Sequence, residues 1–293
     1  INKPNYSFQL GQKFFLAIRY LYFFQLTLQE SNGLTALMLS AMNTGVSTYQ
    51  ILLNKLLSDN NNDATNILIS TNDSGITPLM QAAFYNNVDL VRSLIDLNAD
   101  VNQQDTSGKT ALMYAVFNDC DAVITYLLTH QNLDLNIQVH VSRYQQFLHD
   151  NGQEFSSNNQ WYTALQISAI QDNLASFKIL FKASNRLQRV SSSEYYYEVD
   201  SINYQIENIL LDMVNSSFVN TLILRYLLIE GIFDPNFRYK RGETLLHHAV
   251  RNKCYYFVDL LLKYNADVNT QDYDGNTALM DACIAGGDPD MNI

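Results

Sequence analysis

Apolar residues recur along this chain in paired short bursts rather than in long amphipathic runs. The first burst of each pair sits just behind a threonine, as with Leu79 and Ala82 or Leu112 and Ala115. A three-residue step places both side chains on one helical face. A brief polar turn follows, such as Tyr85-Asn86-Asn87 or Asn118-Asp119. The second burst spaces apolar positions at i, i+3, i+6 and i+7: Val88, Val91, Leu94 and Ile95, then Ile124, Leu127 and Leu128, then Val258, Leu261 and Leu262. That stripe predicts a second helix packed on one side only. Turn formers close the unit at Asn98–Asn102 and Asn265–Asn269, leading into a hairpin whose far arm carries a glycine.

The unit repeats. Its aligned threonines are Thr35, Thr77, Thr110, Thr163, Thr244 and Thr277, and the steps from 77 to 110 and from 244 to 277 are 33 residues each. Longer steps elsewhere fit the same unit carrying insertions. Glycine two residues ahead of the threonine supplies the positive φ of a tight turn. The threonine hydroxyl can satisfy backbone N–H groups left open at the helix start. One helix pair cannot bury its own apolar faces, so neighbouring units must stack.

The G-x-T-x-L-x-x-A core at this period resembles the ankyrin repeat, over roughly residues 30–293. The resemblance implies an all-α solenoid of stacked helix-turn-helix units with short β-hairpin loops. The expected organisation is an N-terminal capping helix at 1–29 and an array of about seven repeats at 30–293. That array holds an insertion at 137–160, a degenerate repeat at 190–238 and a last repeat cut short, as in a fragment of a longer chain. In the degenerate repeat, Ile202, Ile206, Ile209, Leu210 and Met213 read as the inner helix and Asn220–Glu230 as the outer one. Trp161 stands where the turn glycine should be and reads either as a binding hot spot or as a residue closing over the insertion's base. Ser191–Glu198 reads as an exposed excursion. The family's histidine after T-P-L is Met38, Met80, Met113, Gln166 and Met280 here, and only His247 matches. Its loss is expected to remove a local hydrogen bond between repeats, with methionine filling the space by packing.

Charge narrows the partners. The formal net charge of −11 over 293 residues opposes approach to a phosphate backbone or an anionic membrane surface. Cys120, Cys254 and Cys283 are too few and scattered for a disulfide framework, which suits reduced thiols and a cytoplasmic location. Phe14–Leu28 is apolar but interrupted by Arg19 and too short to span a bilayer. No phosphate-cradling glycine loop, zinc-ligand spacing or nucleophile motif occurs. His247 and His248 are neighbours pointing about 100° apart, which suits one residue in the repeat motif and one exposed rather than a chelate. Asp272 and Asp274 read as turn residues. The chain is therefore expected to be a non-catalytic monomer without cofactor or metal.

By resemblance, partners would bind across hairpin tips and inner helices. The candidate contact residues are Phe84, Tyr85, Lys109, Phe117, Asn118, Arg241, Arg251 and Tyr273. Glu243 would also lie at a tip. Asn102, Asn136 and Asn269, each with leucine eight residues earlier, resemble the family's asparagine-hydroxylation consensus, but the favoured reading is that each completes its hairpin's hydrogen bonds. The favoured function is a protein-binding scaffold or adaptor. Its rivals are the regulatory or targeting arm of a larger enzyme, a kinase or ubiquitin ligase, and an elastic spacer.

Overall fold

A threonine starts most of the inner helices because its side chain can accept a backbone N–H that no helical carbonyl reaches. In a computed structural model, which describes residues 29, 31–42, 47–58, 69–140, 161–191, 202–215 and 221–284, this happens repeatedly. Oγ1 of Thr35, Thr77, Thr110, Thr163 and Thr277 accepts from the residue three positions on, at 3.2–3.4 Å. The expected capping helix at 1–29 lies outside the described residues, apart from Gln29. So do the body of the insertion, 141–160, and the segment 192–200.

The chain divides into two compact units, Ile1–Leu133 and Asp134–Ile293. The first holds α1 (Ala36–Ala41), α2 (Ser47–Ser58), α3 (Pro78–Phe84), α4 (Val88–Asp96), α5 (Ala111–Phe117) and α6 (Asp121–Leu127). The inner helices pack in sequence, α1 on α3 and α3 on α5, and each lies against its own outer partner. Leu37, Leu79 and Leu112 are buried at equivalent places, and alanines beside them let the backbones approach. The outer stripe centres on Leu90, Val91 and Leu94 rather than on the flanking Val88 and Ile95, which are only half-buried.

The second unit begins with a two-residue antiparallel pair, β1 (Val139–His140) and β2 (Trp161–Tyr162), in register Val139 with Tyr162 and His140 with Trp161. The insertion therefore leaves from a closed base. Trp161 meets the His140 ring edge-on at 4.9 Å, as expected for a residue closing that base. Then come α7 (Ala164–Ile170), α8 (Leu174–Ser191), α9 (Ile202–Asn215), α10 (Leu222–Ile229), α11 (Leu245–Arg251), α12 (Tyr255–Lys263) and α13 (Ala278–Ile284). Inner helices again pack in order, α7 on α9, α9 on α11, α11 on α13. The degenerate repeat is α9 plus α10, with Ile206, Ile209, Leu210 and Met213 buried as expected.

Sharp turns rely on residues that tolerate positive φ. Asn86, Asp119, Asp172 and Lys253 join inner to outer helix at φ of 53–57°, and Asn98 and Asn265 end outer helices at 67° and 63°. The hairpin asparagines are engaged structurally. Asn102 Nδ2 donates to Asn132 O at 2.6 Å, and the backbone N–H groups of Asn102, Asn136 and Asn269 each donate to the aspartate two residues earlier.

The methionine substitutions keep more of the cap than the sequence suggests. The Thr77 N–H donates to Met80 Sδ at 3.4 Å, and the Thr163 N–H to Gln166 Oε1 at 2.9 Å. What methionine lacks is visible at His247. Its Nδ1 accepts from the Thr244 N–H at 3.1 Å, so its Nε2 carries the proton and donates to Asn276 O in the following hairpin at 3.2 Å. That second bond crosses between repeats, and a thioether cannot make it.

Candidate functional site

Two sets of candidate residues occupy the two units. In the first, Phe84 ends α3, and Tyr85 follows it at the helix cap. Their rings meet edge-on at 5.1 Å, and Phe84 also meets Tyr114 of α5 at 6.2 Å. Packing between repeats thus takes up part of the Phe84 ring. Phe84, Tyr85 and Phe117 are half-buried rather than fully presented to solvent. Asn118 is exposed, but its amide donates to Phe84 O at 2.6 Å and ties one inner helix end to the next.

Lys109 departs from expectation. It is 2% exposed, so it does not project from the hairpin tip. The cause is Asp105, whose Oδ1 accepts from the N–H groups of Ser107 and Lys109 and whose Oδ2 accepts from the Tyr114 hydroxyl at 2.6 Å. This buried carboxylate draws the ammonium inward, to 3.9 Å from Oδ2 and 5.5 Å from the Tyr114 ring centre. Burial lowers the Lys109 pKa against the opposing pull of Asp105. Lys109 is a structural cation. Tyr114 was missed by sequence reasoning because it sits on a helix face that looks like ordinary core.

In the second unit, Arg251 ends α11 and holds two carboxylates, Glu243 at 2.9 Å and Asp281 of α13 at 2.7 Å. Glu243, expected at a tip, is buried. It also lies 3.1 Å from His248 Nε2. His248 is half-buried instead of exposed, because its ring packs edge-on against Tyr239 at 5.6 Å. Burial lowers its pKa first and foremost, Glu243 pulls the other way, and Arg251, His247 and Asp281 complete its surroundings.

Arg241 and Tyr273 do face solvent, and they are adjacent: the Tyr273 N–H donates to Arg241 O at 3.0 Å. Tyr273 is 76% exposed. Its ring lies against Gly242, where φ is +73° and a Cβ would fall 2.6 Å from Tyr273 Cδ1. Arg238, which the sequence did not single out, sits with its guanidinium carbon 6.0 Å from that ring and donates to Gln271 O. Among the described residues no group of three or more His, Cys, Asp or Glu could hold a metal ion. Among them too, no helix is long and apolar enough to cross a membrane.

Comparison with known proteins agrees with the fold. A family model for ankyrin repeats in three copies matches residues 12–105, 56–139 and 213–291. Similar relatives include mouse Rabankyrin-5, 34% identical over 64 residues, which is 22% of this chain and 6% of that protein. The Notch protein of Drosophila melanogaster is 37% identical over 121 residues, 37% of this chain and 4% of its own length. Rat ankyrin repeat and SAM domain-containing protein 6 is 40% identical over 68 residues, covering 23% and 8% respectively. The matched stretches are thus small parts of those relatives. Among solved structures, the ankyrin repeat domain of Bcl-3 superposes with a TM-score of 0.56 at 19% identity, covering 86% of this chain and 95% of that one.

Proposed function

The chain belongs to the ankyrin-repeat family, and from that premise we propose that it is a scaffold or adaptor that binds a protein partner through its hairpin tips and inner helices. The observation that carries the reading is the division of labour along each repeat. Threonine caps, buried leucines and alanines, and asparagine turns account for the architecture. Tyr85, Phe117, Arg241 and Tyr273 sit at variable positions, part-exposed or exposed on the inner-helix ends and tips. Aromatic and arginine side chains on such surfaces dominate protein contacts. Fold alone does not identify the ligand.

The test is affinity capture on the full chain, followed by reconstitution with the purified captured protein and a measured Kd. Tyr85→Ala with Phe117→Ala, and separately Tyr273→Ala, serve as surface variants whose thermal melting is followed in parallel. Saturable one-to-one binding weakened at least tenfold by one of these sets, without loss of folding, is the expected result. A captured protein that binds both sets as tightly as the unaltered chain would refute the assigned surface. Failure to reconstitute any saturable complex would refute the scaffold reading.

A further inference from the structure

Four hairpin turns among the described residues share one construction: residue i+3 donates its N–H to the carbonyl of residue i, as Gly75 to Asn72, Gly108 to Asp105, Gly242 to Tyr239 and Gly275 to Asp272. In three of them the first residue is Asn or Asp, and its side-chain oxygen accepts backbone N–H groups within the turn. The two central residues are then neutral or acidic, Asp73-Ser74, Thr106-Ser107 and Tyr273-Asp274. The fourth turn departs on both counts. Its first residue is Tyr239, a largely buried aromatic with no acceptor for those N–H groups, and its central residues are Lys240 and Arg241, both exposed. The tip has lost an anionic or amide cap and gained two cations, with Arg238 two residues before them.

Arg238 has a use in the fold, donating to Gln271 O, but among the described residues no carboxylate forms an ion pair with Lys240 or Arg241. The nearest carboxylate in sequence, Glu243, is buried and held by Arg251. Asp272 on the neighbouring tip spends its Oδ1 on the N–H groups of Asp274 and Asn276. Asp274, at the centre of that neighbouring tip, is exposed. Tyr273, held between Gly242 and the Arg238 guanidinium, still leaves most of its surface open next to the cations. An aromatic fixed before binding loses little conformational freedom when a partner covers it.

We propose that the tip formed by Lys240 and Arg241, with Arg238 and Tyr273 beside it, docks an acidic segment of a protein partner. Carboxylates of that segment would pair with the cations, and an apolar or aromatic side chain between them would lie on Tyr273. This deepens the scaffold reading and rests on it. A protein segment fits better than a nucleic acid or an anionic membrane for a reason of scale. Those polyanions engage many cations over a long surface, and the chain's net charge of −11 repels them at range. A short acidic segment needs only the local patch, where opposite charges set encounter rate and specificity.

The test is selection of a random twelve-residue peptide library on the full chain, followed by fluorescence anisotropy with the enriched peptides. The same titration is run with a 20-nucleotide single-stranded DNA and with vesicles containing one third phosphatidylserine. Selected peptides should be acidic with an aromatic or apolar residue between the carboxylates. Their affinity should drop about tenfold or more in Lys240→Glu with Arg241→Glu, and in Tyr273→Ala, with melting temperature unchanged. Lys240→Gln with Arg241→Gln should give an intermediate loss, which separates lost attraction from new repulsion. Neutral or basic selected peptides, or acidic ones indifferent to these substitutions, would overturn the proposal. So would tighter binding of the DNA or the vesicles through the same residues. Peptides that instead depend on Tyr85 and Phe117 would leave the scaffold reading standing while removing this one, whereas a library that yields no binder at all would count against both.

Discussion

Arg251 has the composition of a contact residue and the geometry of a clamp. It joins Glu243 at the start of one repeat to Asp281 in the inner helix of the next. Removing it leaves two nearly buried carboxylates without their shared cation. Because the Arg251 side chain is 42% exposed, water screens part of the loss, and Arg251→Ala should cost about 1–2 kcal/mol in urea unfolding rather than the larger sum for a fully buried pair. An unchanged midpoint would show that the bridge contributes nothing. His248 next door gives a pH signature. Its pKa is lowered by burial, so the unfolded chain takes up its proton first as pH falls below the ordinary histidine value of 6.5. The stabilising contribution of neutral His248 is complete above that value and declines as pH drops through the folded pKa. Glu243, Arg251, His247, Asp281 and the Tyr239 ring all face this side chain, so the comparison must be with His248→Gln. Between pH 6.5 and 5 the melting temperature of the unaltered protein should fall more steeply than that of the variant; parallel curves would contradict the assignment. Tyr114 supplies a third residue-scale case. Its hydroxyl donates to buried Asp105 at 2.6 Å, and a hydrogen bond to a charged group is worth about 1.5–3 kcal/mol. Chemical denaturation of Tyr114→Phe should show a loss of that order.

Elements in this fold depend on their neighbours more than on their own propensity. Each inner helix has six or seven residues, apart from the longer α9, too short to persist alone in water. The same leucine therefore has different worth at different stations. Leu112 of α5 is 2% exposed, while Leu279, at the equivalent place in α13, is 58% exposed because no described helix packs on that side. Leu112→Ala should cost about 2–5 kcal/mol, whereas Leu279→Ala should stay within about 0.5 kcal/mol. Equal losses at the two sites would mean that α13 is covered in solution. The sequence alone placed these leucines in one class, since repeat alignment records register and not company.

Over the whole chain, charge is the property that reaches beyond any one repeat. A net charge of −11 keeps polyanions away, and the cations at 238–241 are too few to reverse that at physiological salt. Electrophoretic mobility of a labelled 30-base-pair DNA duplex should be unaffected by micromolar protein at 150 mM salt, and a retarded band would overturn the charge argument. The family match and the solved relative extend over both compact units, which accords with one kind of repeat serving throughout.

What the sequence determined by itself was the periodic part: where helices start, which positions turn, which leucines and alanines recur, and hence the family. Those features follow from local backbone chemistry, from hydroxyl caps, positive-φ glycines and helical spacing, and local chemistry is written residue by residue. Only the tertiary structure decided which polar side chains remain available for binding. Lys109 turned inward to Asp105 and Arg251 became a bridge between Glu243 and Asp281 because a buried carboxylate, once desolvated, draws in the nearest cation whatever position the repeat assigns to it. Lys240, Arg241 and Tyr273 stayed outside: they sit at the centres of two adjoining hairpin turns, and among the described residues no ion pair draws either cation inward. That is a fact of three-dimensional company, and no alignment of one repeat on another contains it.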